Sequence, residues 1–291
     1  MKLVTFTHKQ RTRLGIVTDN SIVDLAQDAP DLPTSMLEFL RAGSSAMDAA
    51  RVALDNAGPC IPIAQVHLEA PVPRPGKFLA IGLNYADHVA ETGLKPPAVQ
   101  IWFNKQITCV NPPFDSIELP LVSTMLDYEG ELGIVVGKTC RHVPADRAHE
   151  VIAGYTIVND VSVRDWQLRS ATFQIGKSFD THGPFGPYLV TPDEIPDPHN
   201  LELRTWVNGE LRQHSNTRNL IFNCYEQIAH LSTAFTLEPG DVLATGTPAG
   251  VGMSMQPACY LKEGDVVRIE IEGLGAIENT VVKEKGGTVI T

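Results

Sequence analysis

Residues 126–138, LDYEGELGIVVGK, constrain the fold of this chain more than any other stretch. From Leu132 to Val136 the residues are apolar at both odd and even positions, broken only by glycine. Successive side chains of a strand point to opposite faces, so a strand with this pattern is covered on both sides and runs through the interior. Directly ahead of it, Asp127, Glu129 and Glu131 alternate, and the same period puts all three carboxylates on one strand face. Two like charges about 4 Å apart repel by about 4 kcal/mol at an effective dielectric near 20, so three cannot stay ionised and dry together. Either that face is wet, as on an exposed edge strand, or a carboxylate is protonated, or a cation sits among them. A strand heading into apolar surroundings favours the cation.

Further strand-like runs follow the same logic: KFLAIG (77–82), GYTIVNDVSV (154–163), GPYLVT (186–191), LELRTWVNG (201–209), DVLATG (241–246) and DVVRIEIEG (265–273). Gly, Pro, Asp and Asn turns separate them, and one clear helical segment, NLIFNCYEQIAHLSTAF (219–235), lies among them. Strands dominate, which predicts a β-rich α+β body, sandwich or barrel-like, rather than a doubly wound sheet. Ahead of it, KLVTF and RLGIVTDNSIVDL read as a hairpin turning at Asp19-Asn20, followed by a helical pattern over residues 34–58. Prolines crowd residues 61–77, and their missing amide donors argue against a regular element there. The linker is placed in that span, giving a small N-terminal α/β domain over 1–70 and a body over 71–291.

A formal net charge of -11 disfavours nucleic acid or an anionic membrane as the main partner. The five cysteines are scattered, without a Cys-x-x-Cys pair, so neither a disulfide framework nor a zinc site is expected. The first residues lack the continuous apolar core of a signal peptide, and no stretch approaches the roughly 20 apolar residues of a membrane span. A cytoplasmic protein is the expectation.

If a cation accounts for the acidic strand, oxygen-only ligands select a hard divalent ion: magnesium, manganese or calcium. Asp160, which ends the apolar run GYTIVN, is the candidate third ligand. His88 and Glu91 stand three apart in GLNYADHVAE, close enough on a helix for the carboxylate to hold the imidazole; Asn84 is a candidate cap. Arg164 and Gln167, in SVRDWQ, read either as substrate or metal-supporting contacts or as a local salt bridge of Arg164 with Asp165 or a neighbour. ATGTPAGVG lacks the Lys-Ser/Thr of a phosphate loop, whereas Thr247 and its surrounding amides suit the carboxylate of a small 2-oxo acid. No GxSxG occurs, which speaks against a serine hydrolase.

Taken in order, GLNYADHVAE, LDYEGEL, NDVSVRDWQ, GKSFDTHGPFGPYLV and GDVLATGTPAGVG resemble the fumarylacetoacetate hydrolase family over about residues 75–285. The resemblance implies a mixed β-roll or β-sandwich body that binds Mg²⁺, Mn²⁺ or Ca²⁺ through Glu129, Glu131 and Asp160, with Asp127 beside the ligands and not among them. It implies that the His88–Glu91 pair closes over the substrate and activates a water, that Lys177 stabilises an oxyanion or enolate, and that Tyr85, Arg164, Gln167 and Thr247 contact substrate. It also implies a homodimer. The expected activity is metal-dependent hydrolysis of a carbon–carbon bond in a 2,4-dioxo acid such as an acylpyruvate or fumarylpyruvate-like compound. The alternative is oxaloacetate decarboxylation, or keto–enol tautomerisation or isomerisation, on the same metal platform; a non-catalytic metal-binding scaffold is a third reading. The distal end of the substrate is expected to meet residues 94–114.

Overall fold

The computed structural model describes residues 1–290. β1 (Lys2–His8), β2 (Arg11–Thr18) and β3 (Ser21–Asp24) form a three-stranded antiparallel meander where the sequence read as a hairpin, with Asp19 at the β2–β3 turn at φ 48°. The helical stretch read over 34–58 divides: after the short α1 (Leu25–Asp28), α2 (Met36–Ala42) and α3 (Ser44–Asp55) meet at Gly43. Gly43 has φ 70°, a conformation glycine adopts without steric cost, and it redirects the chain there. Ser35 caps α2 by accepting from the Glu38 amide. The proline-crowded span holds two short strands after all, β4 (Ile61–Pro62) and β5 (His67–Leu68). β4 lies at the outer edge of the sheet, where a missing amide costs no interior ladder bond.

The body then runs through β6 (Phe78–Gly82), α4 (Ala86–Thr92), β7 (Ile101–Lys105), β8 (Val110–Asn111), β9 (Ile117–Leu119) and β10 (Leu126–Asp127). β11 (Gly130–Val136), β12 (Ile152–Asn159), β13 (Ser162–Val163), α5 (Arg164–Gln167) and β14 (Gly183–Val190) follow. The chain closes with β15 (Glu202–Val207), β16 (Glu210–Asn216), α6 (Cys224–Ala234), β17 (Val242–Ala244), β18 (Val266–Ile271) and β19 (Gly275–Lys283). β7, β16 and β19 escape the sequence reading because polar residues break their alternation: Asn104 and Lys105, Gln213 to Asn216, and Glu278 to Thr280.

The large sheet is ordered β4-β3-β2-β1-β14-β12-β11-β17-β6-β7, and a five-stranded sheet β16-β15-β18-β19-β9 packs on its centre. Leu132, Ile134 and Val136 of β11 meet Leu203, Val267 and Ile269 of the second sheet in one core. Val135, pointing the other way, joins a second core with Phe39, Leu40 and Ala50 under α2 and α3. Both faces of β11 are therefore covered, as its residue pattern requires, and each buried Ile or Val contributes about 1.5–3 kcal/mol. The molecule is β-rich α+β, a sandwich with α2 and α3 on the outer face of its larger sheet and α6 packed into the core between the sheets.

β1 pairs with β14, Lys2 opposite Val190, and the second core contains Met1, Leu3 and Leu14 together with Phe78, Phe185 and Val242. A division at residue 70 is retained as a proposal about chain organisation; the sheet and this core run across it. No helix among the described residues is long and apolar enough to cross a membrane.

Candidate active site

The acidic stretch is not one strand. β10 ends at Asp127 and pairs with β13, whereas β11 begins at Gly130 and belongs to the large sheet. Asp127 therefore leaves the shared face that alternation predicts, and residues 126–136 are buried throughout, so no wet edge exists there. The antiparallel register sets Gly130 opposite Asn159, and the Asp160 amide donates to the Glu129 carbonyl at 2.9 Å. One residue beyond the end of β12, Asp160 thus comes beside the two glutamates. Carboxylate oxygens of Glu129, Glu131 and Asp160 lie within 4.8 Å of one another, all buried.

Cations converge on this cluster. Lys177 Nζ donates to Glu129 Oε2 at 2.6 Å and to Asp160 Oδ2 at 2.8 Å. Lys105 Nζ donates to Asp160 Oδ1 at 2.6 Å and to the Lys177 carbonyl. Arg164 donates through Nη1 to Glu129 Oε1 at 2.6 Å and through Nε to Asp127 Oδ2 at 2.8 Å. Glu131 receives the Gly246 amide at 2.7 Å but has no cation partner among the described residues. Burial, followed by repulsion from Asp160 and Glu129, pushes its carboxyl well above the usual range. Burial would raise Glu129 too, yet Lys177 and Arg164 prevail and hold it at about 2. Burial disfavours the Lys177 ammonium, but Asp160 and Glu129 outweigh it and raise its pKa.

Four buried carboxylates, counting Asp127, face three buried cations, and the uncompensated charge falls on Glu131. Leaving a buried charge unpaired costs several kcal/mol. An all-oxygen donor set with surplus negative charge fits a hard divalent cation, so the residues present suit the metal that the sequence suggests.

His88 and Glu91 project from α4. His88 Nδ1 and Glu91 Oε2 are 3.1 Å apart, and Glu91 Oε1 accepts the Gly250 amide at 2.9 Å. Burial works against the Glu91 anion, but His88 and that amide lower its pKa. Asn84 is not the cap of α4; Tyr85 occupies that position. The Asn84 side chain instead donates to the Thr245 and Phe222 carbonyls at 2.8 and 3.0 Å, tying the start of α4 to the end of β17. Asp87 adds a second tie, accepting from Ser215 Oγ at 2.6 Å.

A cavity of about 190 Å³ joins these groups: His88, Glu129, Arg164, Gln167, Lys177 and Thr247 line it, with Leu94, Leu168, Phe173 and Met253 as an apolar wall. Arg164 is engaged by Asp127 and Glu129, and by Gln167 Oε1 at 2.9 Å; Asp165 instead accepts from Ser123 Oγ at 2.5 Å. Thr247 donates to the Gly130 carbonyl at 3.0 Å and accepts from Gln213 at 2.8 Å. Tyr85 is fully buried, its hydroxyl has no partner among the described residues, and it is not part of the cavity lining. Of residues 94–114, Leu94 and Phe103 reach the cavity.

Sequence reasoning missed Lys105 and Gln213. Lys105 had a signal: two residues after Phe103 on β7, it shares that residue's buried face, an unusual place for lysine. Gln213 had none; its role comes from bridging the Gly130 amide to Thr247 and the Pro248 carbonyl.

Residues 77–282 match the family model described as Fumarylacetoacetate (FAA) hydrolase C-terminal. The chain is 45% identical over 287 residues to Oxaloacetate tautomerase Fahd2a, mitochondrial, of Rattus norvegicus, covering 97% of this chain and 92% of that protein. Fumarylacetoacetate hydrolase from psychrophilic Exiguobacterium antarcticum superposes with a TM-score of 0.87 at 38% identity, over 98% of this chain and 100% of that one. Maleylpyruvate hydrolase from Sphingobium sp. SYK-6, in complex with manganese(II) ion and pyruvate, gives 0.82 at 34% identity, over the same shares.

Proposed function

The chain belongs to the fumarylacetoacetate hydrolase family, and from that premise we propose that it is a divalent-metal-dependent enzyme that catalyses keto–enol tautomerisation of oxaloacetate. The observation that carries this reading is that His88, held by Glu91, lines the same small cavity as Glu129 of the buried carboxylate cluster. The tautomerase relative, similar over nearly the whole chain, favours this reaction.

When held by Glu129, Glu131 and Asp160, a divalent ion (magnesium, calcium, or manganese as in the maleylpyruvate hydrolase structure) supplies Lewis-acid polarisation of the 2-oxo group. With Nδ1 engaged by Glu91, His88 keeps Nε2 free to take a proton from the substrate's C3. The C–H electron pair moves into a C2–C3 double bond, and negative charge develops on the 2-oxo oxygen. The Lys177 ammonium, fixed by two carboxylates, contributes positive charge beside it. His88 then returns the proton to that oxygen. Gln167 and Thr247 line the cavity and would orient the substrate's polar groups, while Arg164 donates to Glu129 and would hold it in position.

The second reading is carbon–carbon hydrolysis of an acylpyruvate or fumarylpyruvate-like acid, favoured by the maleylpyruvate hydrolase likeness. The same His88 would then deprotonate a water. Decarboxylation of oxaloacetate shares the enolate and competes with both. The test is to give the pure protein oxaloacetate and a panel of acylpyruvates, with magnesium or manganese added or with a chelator. Ultraviolet absorbance follows the enol, and pyruvate release follows the other two reactions. Metal-dependent approach to the tautomer equilibrium is expected, lowered about 10²- to 10⁴-fold in His88→Gln. Pyruvate release from acylpyruvates without accelerated tautomerisation would establish the hydrolytic reading instead.

Assembly as a homodimer belongs to the same proposal, as does a reducing compartment. All five cysteines are free, which suits the cytoplasm and equally the mitochondrial setting in the rat relative's name.

A further inference from the structure

Asp127 is buried completely and lines no part of the cavity, yet its carboxylate accepts from four donors. Oδ1 takes the amides of Tyr128 at 3.0 Å and Gly252 at 2.8 Å. Oδ2 takes the amide of Met253 at 2.9 Å and Arg164 Nε at 2.8 Å. Because every partner is a donor, only a group that accepts at both oxygens satisfies them all. Residue 252 has no side chain, and a Cβ there would run into the Cys259 carbonyl as well as stand 2.7 Å from Asp127 Oδ1.

Both directions away from Asp127 lead into the site. Arg164 continues to Glu129 Oε1 at 2.6 Å and to Gln167. The loop 250–253 continues to the Gly250 amide, which holds Glu91, and Glu91 holds His88. One connected path thus joins a carboxylate of the cluster to the histidine, with Asp127 as the junction between arginine and loop. We infer that Asp127 is a positioning residue: by clamping loop 250–253 onto Arg164, it sets the His88–Glu91 pair in register with the carboxylate cluster. The inference rests on the reading of His88 as the proton-transfer group. Asp127 acts at a distance from substrate, through the groups on either side of it.

Asp127→Asn preserves shape but replaces one acceptor oxygen with a donor, which breaks the contacts on that side. Turnover is expected to fall about 10- to 100-fold, the cost of misplacing a catalytic group by an ångström, while KM and calorimetric affinity for manganese stay near wild type. In a His88→Gln background the same substitution should leave the residual rate almost unchanged, since the two act as one unit. Amide hydrogen exchange should quicken at Gly250, which Asp127 does not touch. Additive rate losses, or unaltered protection of Gly250, would reduce Asp127 to a counter-ion for Arg164 and overturn the inference. If the wild type turns over neither oxaloacetate nor acylpyruvates, the functional reading fails, and exchange at Gly250 still decides the positioning role. Should Asp127→Asn fail to fold, Asp127→Glu keeps the charge opposite Arg164 but moves the carboxylate out of register with the Gly252 and Met253 amides, and the same faster exchange at Gly250 is expected; exchange at the wild-type rate would overturn the inference.

Discussion

His182 shows how far a single residue's setting can depart from its sequence context. It lies just before β14, with Nε2 donating to the Glu118 carbonyl at 2.8 Å and its ring stacked on Phe179 at 5.5 Å. Burial pushes its pKa down to about 3, so the folded imidazole stays neutral where the unfolded one, at about 6.5, takes up a proton. Proton uptake therefore favours the unfolded chain between those two values, and stability falls as pH falls through that window. From pH 7 to pH 5 the loss amounts to about 2 kcal/mol from this residue. Urea unfolding at both pH values should show a drop smaller by about that amount in His182→Gln; equal drops would contradict it. At this scale the sequence was informative where a residue type was unusual for its place. His88, Glu91, Lys177, Glu129, Glu131 and Asp160 could be proposed, and the structure puts His88, Lys177 and Glu129 on the wall of one cavity, with Glu91 held behind His88 and Glu131 and Asp160 clustered beside Glu129. Tyr85, also proposed, is buried away from that cavity, because the face a strand-to-helix residue presents depends on the turn and not on spacing.

Short elements carry the site's precision. Lys177 ends a single 3-10 turn, Gln174–Lys177, that lies against α5. Gly176 makes that approach feasible: a Cβ would stand 2.5 Å from Gln167 Cα and 2.7 Å from the Val163 carbonyl. Gly176→Ala should therefore cost about 1–3 kcal/mol by overpacking and draw Lys177 off Glu129 and Asp160. A Tm lower by roughly 2–12 °C is expected, with reduced turnover; a melting curve matching wild type would show that the turn absorbs the methyl group. The break between β10 and β11 was not legible. Asp127, Glu129 and Glu131 keep perfect alternation across it, and the interruption arises from β10 pairing with β13 and from the Arg164 pull on Asp127. The period of a strand encodes its faces but not where it changes partners.

Across the whole molecule, the leading segment completes the large sheet and one of its cores. Removing residues 1–70 would expose the edge of β14 and the apolar faces of Phe78, Phe185 and Val242. The shortened chain is expected to aggregate and to lose the cooperative unfolding of the full protein, as read by size exclusion and circular dichroism. A monodisperse fragment with an unchanged transition would show instead that the body folds alone. The amino-acid sequence by itself determined a β-rich body, because alternation and unbroken apolar runs state which strand faces are buried. It likewise determined the kinds of chemical group at the site. The tertiary structure alone decided which charges pair and what holds the histidine: Lys105 meets Asp160 from 55 residues away, and the Gly250 amide meets Glu91 from 159. Local periodicity describes the geometry of neighbours along the chain, whereas the electrostatic balance of a buried site is set by partners that only packing brings within hydrogen-bond range.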